Sequence, residues 1–220
     1  MQFFSFWRTE GLNPIVSITG YSKLLLDGAF GELTEKQREI ISTINYAANA
    51  AATAWKNPSI YLKLTSDPNY GRLEWQSVSL AESFEKINSH YLNDMDVVFE
   101  LPPNLPNVKT DVTWLKEAIA TLIRPSAGYH NNRSFLPKIV GQLKNDMVAI
   151  QVHSGLSLYP EQLSIESISF PGSSVSVANI ILQKLGSELR LEQIRLSNSN
   201  DYESQGTMFE FALPIWQDKE

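Results

Sequence analysis

The sequence predicts an α+β protein: a helical hairpin over residues 1–70, followed by an α/β sandwich over residues 71–220. Three observations carry this. Apolar residues recur at alternating spacings of three and four through the first 64 positions, the signature of helices with one packed stripe. A glycine-bearing break, "DGAFGEL" at 27–33, divides that stretch in two. Beyond residue 70, short alternating segments interleave with amphipathic ones, as strands and helices do in a two-layer domain.

In the first helix the stripe is Phe4, Trp7, Gly11, Pro14, Ile18, Tyr21 and Leu25. Thr34 can cap the second helix, with Gln37 three residues on completing a capping box. Its stripe is Ile40, Ile44, Ala47, Ala51 and Ala54, set in the alanine-rich run 47–54, whose small side chains permit close helix approach. A lone hairpin cannot hide both faces, so two copies are expected to pair as a dimeric four-helix bundle, with those five residues at the dimer interface. Pro58 is expected to end or kink the second helix. "TSDPNYG" at 65–71 reads as a linker. Strands follow at "WQSV" and "DVVFELP" around a helix over 80–93, then a helix over 111–123. "PKIVGQLKNDMVAIQVH" reads as two strands joined at "KND". A helix over 174–185 precedes "ELRLEQIRL" and "GTMFEFALPI", which close an antiparallel sheet with helices on one face.

Composition narrows the function. The net charge is −6, all of it beyond residue 70, where twelve basic residues meet eighteen acidic ones; this argues against a general nucleic-acid binder. The chain has no cysteine, hence no disulfide and no thiolate chemistry. No apolar run approaches a membrane span of ~20 residues, and a cytoplasmic location is expected. The three histidines, His90, His130 and His153, show no metal-ligand spacing, and no metal site is expected.

"NPIVSITGYSKLLLDGAFGELTEKQREII", "GRLEWQSVSLAESFEKI" and "GTMFEFALPI" stand in an order that resembles the core of sensor histidine kinases, over nearly the whole chain. The resemblance implies a dimerisation and phosphotransfer hairpin followed by an ATP-binding sandwich of the GHKL type. Its chemical motifs are altered. The family's His-Glu-x-Arg-Thr-Pro becomes Thr9, Glu10, Gly11, Leu12, Asn13 and Pro14, so the acceptor histidine is a threonine. A threonine hydroxyl without a neighbouring base is a poor nucleophile. The two magnesium-holding asparagines of the family's N box correspond to Thr121 and Pro125. The adenine-reading Asp-x-Gly-x-Gly becomes His153, Ser154, Gly155, Leu156 and Ser157. The last glycine box, Gly-x-Gly-Leu-Gly-Leu, becomes Gly172, Ser173, Ser174, Val175, Ser176 and Val177, with serines where glycine would let backbone amides approach phosphate. The lid that precedes this box is almost absent between Phe170 and Gly172.

The resemblance, with these departures, implies a pseudo-histidine kinase: a dimeric scaffold with no nucleotide cofactor. It would bind a response regulator or a partner kinase in two-component signalling. The family grips receiver domains on the flank of the first helix, which by position implies Ile18, Thr19, Ser22 and Lys23, with Leu26 nearby. Two other readings stand beside it: an active kinase or phosphotransferase with non-standard motifs, and a module whose altered pocket takes another small ligand.

Overall fold

The computed structural model describes residues 2–85, 97–123, 136–154, 165, 173–196 and 204–217; for residues 2–11, 46, 50, 53, 54, 85, 195, 196, 204 and 205 it describes the backbone alone. The chain divides into two compact units, Met1–Ile60 and Tyr61–Glu220.

The first unit is a helical hairpin of α1 (Gln2–Leu26) and most of α2 (Glu35–Ser66). Helix α1 stops at Gly28, whose φ of +78° suits a residue without a Cβ. The Gly28 N–H donates to the Leu25 carbonyl at 3.1 Å and the Ala29 N–H to the Leu24 carbonyl at 3.0 Å, a Schellman ending. The capping box forms: Gln37 N–H donates to Thr34 Oγ1 at 3.3 Å, and Thr34 N–H donates to Gln37 Oε1 at 3.0 Å. Arg38 Nη1 donates to the Leu26 carbonyl at 3.2 Å, fastening the two helix ends. Pro58 does not end α2, which continues to Ser66. A proline removes one backbone donor, and burial of Asn57 before it and Leu64 after it holds the helix on either side.

The helices meet on a stripe different from the one expected. Leu12, Ile15, Thr19 and Leu26 of α1 are half-buried and Ser22 is buried; of the expected stripe Leu25 is half-buried as well, whereas Pro14, Ile18 and Tyr21 are exposed, Tyr21 by 66%. The expected stripe is offset by one residue, about 100° around the helix. On α2, Asn45 and Ala48 turn toward α1, and Ile40, Ile44 and Ala47 are exposed. Ala51 is half-buried, and the Ala54 side chain lies outside the described ones.

In the second unit, the last turn of α2 leads through a turn at 67–71 to β1 (Gln76–Val78), which pairs antiparallel with β3 (Val108–Thr110). The main sheet runs β2 (Val98–Glu100), β4 (Lys138–Lys144), β5 (Met147–Ser154), β7 (Ser204–Pro214), β6 (Arg190–Leu196). It is mixed rather than antiparallel throughout, because β2 pairs parallel with β4. The chain between them passes through β3 and α4 (Val112–Ile123), a crossover long enough for a parallel pair. The β4–β5 turn is Asn145-Asp146, both with positive φ, the backbone of a tight two-residue hairpin.

Helices α3 (Leu80–Glu85), α4 and α5 (Ser174–Lys184) cover one face of the sheet. Leu115, Ile119, Leu122 and Ile123 of α4 and Val177, Ile181 and Leu182 of α5 are buried with Ile139, Ile150, Val152, Phe209, Phe211 and Leu213 of the strands. Phe84 of α3 stacks on Phe99 of β2, ring centroids 6.0 Å apart. Residues 86–96, the rest of the expected 80–93 helix, lie outside the described ones.

Candidate functional site

The C-terminal end of β5, the end of α4 and the start of α5 carry the positions that the sequence singles out. On α4, Asp111 caps the helix: its Oδ1 accepts from the Thr113 and Trp114 N–H groups at 2.9 and 3.1 Å. Its Oδ2 accepts from the Glu74 N–H at 2.8 Å, binding the chain before β1 to the helix start. Two turns on, Thr121 is fully buried and its hydroxyl donates to the Glu117 carbonyl at 2.6 Å. That hydroxyl hydrogen is committed to its own helix and does not face an open site. Pro125 lies outside the described residues.

At the end of β5 the side chains alternate. Ile150, Val152 and Ser154 point into the helix layer, where all three are fully buried. His153 is paired in register with Lys138 and Met208, on the helix-free face. Strand alternation sends successive side chains to opposite faces, so Ser154 and not His153 takes the inward position at the end of β5. The His153 Nε2 is buried without a hydrogen-bond partner among the described residues. Burial, then the Lys138 ammonium, hold its pKa below the ordinary value, with Glu100 opposing them. Lys138 Nζ is itself 2.6 Å from Glu100 Oε2.

Helix α5 opens on a polar turn. Ser173 is its N-cap: its Oγ accepts from the Ser176 N–H at 3.0 Å, and Ser176 Oγ donates back to the Ser173 carbonyl at 2.9 Å. One first-turn amide, of the kind that binds phosphate at a helix N-terminus, is thus taken by the chain's own serine. Ser176 is buried, and Ser174 is half-buried. The capping role of Ser173 was not singled out from the sequence, although a serine three residues before another at the start of an apolar run signals it. Gly155, Gly172 and the shortened lid lie outside the described residues. Among the described residues no group of three His, Asp or Glu side chains could hold a metal ion.

A concavity of about 300 Å³ opens elsewhere, on the helix-free face beside the β4–β5 turn. Its charges compensate each other: Lys144 Nζ is 3.6 Å from Glu210 Oε1, and Arg190 Nη2 is 3.2 Å from Glu188 Oε2. The Gln151 amide donates to Glu210 at 2.8 Å and, with Lys144 and Arg190 adding to it, holds that carboxyl below its usual pKa.

No family model and no curated protein matches the sequence. Solved structures match the fold. Full-length ShkA in complex with AMPPNP superposes on the whole chain with a TM-score of 0.60 at 12% identity. The fold is that of a histidine-kinase core. The chain spans about half of ShkA's length, 47%. The Acinetobacter baumannii histidine kinase AdeS matches 92% of this chain and 95% of its own, with a TM-score of 0.51 at 16% identity. The catalytic domain of the histidine kinase ThkA matches 65% of this chain and 97% of its own, with a TM-score of 0.51 at 20% identity.

Within this histidine-kinase core fold, Thr9 and Glu10 fall inside α1, with backbone alone described, and Asn13 and Pro14 are exposed in its next turn. The five residues expected to grip a receiver are scattered. Ile18 and Lys23 are exposed, Thr19 and Leu26 are half-buried, and Ser22 is 5% exposed against α2. Thr19 and Ser22 are not surface positions, because the same one-residue offset turns them into the hairpin seam. The flank that remains open on that side of α1 is Val16, Gly20, Lys23 and Asp27, each exposed. Among the described residues, no helix is long and apolar enough to cross a membrane.

Proposed function

We propose that this chain is a catalytically inactive histidine-kinase-like protein, a dimeric scaffold of two-component signalling that binds a response regulator or a partner kinase. One observation carries it: α1 runs unbroken from Gln2 to Leu26, and Thr9 stands where the resemblance puts the phosphoacceptor histidine. A phosphothreonine ester lacks the transfer potential of a phosphohistidine, and no histidine lies anywhere in residues 1–85 to replace it. Three further features support the reading. Thr121 is bonded to its own helix, Ser154 occupies the inward end of β5, and Ser173 takes up an α5 amide. These are the stretches in which the resemblance puts nucleotide and magnesium contacts, and in each the side chain named is buried or bonded within the protein.

Dimerisation is supported by the exposed apolar stripe Ile40, Ile44 and Ala47, and receiver docking by the open flank Val16, Gly20, Lys23 and Asp27. A transient receiver interface of micromolar affinity corresponds to about −8 kcal/mol. Incubation with radiolabelled ATP should leave no acid-labile phosphate on the wild type or on Thr9→His, because the acceptor would return without a donor site. Label on Thr9→His would show a working ATP pocket and sink the inactive reading. In parallel, the protein should bind a receiver domain from the same cell. Gly20→Arg should weaken that binding tenfold or more while leaving stability intact, since a Cβ at Gly20 meets nothing within 4 Å. If no receiver binds, or if Gly20→Arg leaves binding unchanged, the docking flank is wrong.

A further inference from the structure

The concavity beside the β4–β5 turn has its cause in strand register. On the face of the sheet turned away from α4 and α5, Ala149 of β5 stands directly opposite Ala212 of β7. The rows on either side carry longer side chains, Met147 opposite Pro214 and Gln151 opposite Glu210. Two neighbouring strands that both place alanine in one row leave a dip about one side chain deep. Ala149 is 2% exposed although it points away from the helix layer, so it lies at the bottom of that dip. The volume of about 300 Å³ is at the small end for a ligand site.

Four charges surround the dip: Lys144 at the end of β4, Glu210 on β7, Arg190 at the start of β6 and Glu188 just before it. Their signs alternate. Lys144 pairs with Glu210, Glu210 stands in register with Arg190, and Arg190 pairs with Glu188. They are not held equally. Gln151 Nε2 donates to Glu210 Oε2 at 2.8 Å, and the Glu210 side chain is 23% exposed. Lys144 Nζ stands 3.6 Å from Glu210 Oε1, beyond hydrogen-bond length, on a side chain that is 57% exposed. Glu210 is thus a fixed carboxylate with one oxygen bonded and the other loosely paired. The Gln151 bond, with Lys144 and Arg190 adding to it, keeps that carboxylate ionised.

Such a rim selects a ligand by charge. A lone cation or anion is attracted by one sign of the alternating rim and repelled by the other, whereas a zwitterion is complementary to both. It can enter the loose Lys144–Glu210 pair with its ammonium on Glu210 and its carboxylate on Lys144, so that every charge keeps a charge-assisted partner. The floor of Met147, Ala149 and Ala212 then takes a short apolar body, and nothing on that floor would bond a polar one.

We propose that this concavity binds a free α-amino acid with a small apolar side chain, its ammonium held by Glu210 and its carboxylate by Lys144. Arg190 and Glu188 close the far side as a preformed pair. The site lies away from the positions on α4 and α5 discussed above, and it gives the scaffold a small-molecule input that does not involve nucleotide. Exposed ion pairs contribute only about 0.2–1 kcal/mol each, so the affinity is millimolar.

The test titrates the nitrogen-labelled full chain with L-leucine and follows its amide spectrum. The expected result is saturable shifts at residues 144–149, 188–190 and 210–212, with a millimolar Kd. Isopentylamine, which lacks the carboxylate, and 4-methylpentanoate, which lacks the ammonium, should each bind about tenfold more weakly or worse. Glu210→Gln should weaken L-leucine by a similar factor, and Ala212→Leu, which fills the dip, should abolish binding. Lys144→Met changes an exposed side chain and keeps the fold, so it reads the same loss should Glu210→Gln prove unstable. The proposal is overturned if L-leucine shifts no amide or shifts others instead. It is equally overturned if the amine or the acid alone binds as well, or if Lys144→Met leaves binding unchanged. None of these outcomes touches the inactive scaffold, which is tested by phosphate labelling and receiver binding.

Discussion

Asn45 and Ser22 are hydrogen bonded across the hairpin: the Asn45 amide donates to Ser22 Oγ at 2.9 Å, and Ser22 Oγ donates in turn to the Ile18 carbonyl at 2.7 Å. The contact makes Ser22 a structural residue, although its place in the first helix would serve a docking surface in the resembling family. Ser22→Ala should cost about 1–3 kcal/mol, the penalty for leaving a partner amide unpaired inside a contact. Ser22→Arg should cost more, because it drives a charge against α2. Urea denaturation monitored on the helical signal measures both. Wild-type stability in Ser22→Arg would place the residue back at the surface.

The α5 cap gives a second prediction. Ser173→Ala removes the acceptor for the Ser176 N–H and should destabilise the C-terminal unit by about 1 kcal/mol. Millimolar Mg-ATP should shift the melting temperature of neither protein. A nucleotide present at 100 times its Kd would add about 2.7 kcal/mol of stability, readily seen in a thermal melt. A clear shift of the wild type would mean that the filled positions around α4, β5 and α5 are not the ones a nucleotide needs.

His153 makes stability depend on pH. Its imidazole is harder to protonate in the folded state, through burial first and the Lys138 charge second. The unfolded chain therefore binds more protons below the ordinary histidine pKa of about 6.5, so stability is fully present above that pH and is lost as the pH falls through the folded value. In His153→Gln this part of the loss should disappear. The difference in unfolding free energy between wild type and variant, measured from pH 8 down to about 5, should change across that window. A constant difference would show that His153 protonates alike in both states.

Gly71 is pinned in shape and space. Its φ is +76°, and a Cβ there would lie 2.9 Å from Leu64 Cδ2 and 3.5 Å from the Trp114 ring. Around it, Lys63 Nζ lies 5.3 Å from the centre of the Tyr70 ring, and Tyr70 meets Trp114 edge-on at 5.8 Å. The turn after α2 is thus packed within the second unit. Gly71→Ala should cost about 1–2 kcal/mol from the left-handed backbone alone, lowering the melting temperature by several degrees. Gly20→Ala, in open space on a helix, should instead raise stability by about 0.5–1 kcal/mol.

Much was legible in the sequence because it is written in local chemistry. The capping box of Thr34 and Gln37, the break at 27–33, the Asn145-Asp146 turn and the alternation of β5 and β7 each need only neighbouring residues, and each is found where expected. The short β3 carries too few residues for a pattern, and it exists because β1 pairs with it. Tertiary structure decided everything that depends on which way a side chain turns. A spacing of three and four shows that a helix has an apolar stripe but not what the stripe faces. The bonds from Asn45 to Ser22 and Thr19 show that α1 meets α2 through Thr19 and Ser22, leaving Ile18 and Tyr21 outside. The same holds at the end of β5, where register with Lys138 and Met208 sends His153 to one face and Ser154 to the other. Helical and strand periods fix directions relative to the chain, and a direction acquires a meaning only when a second element arrives to occupy it.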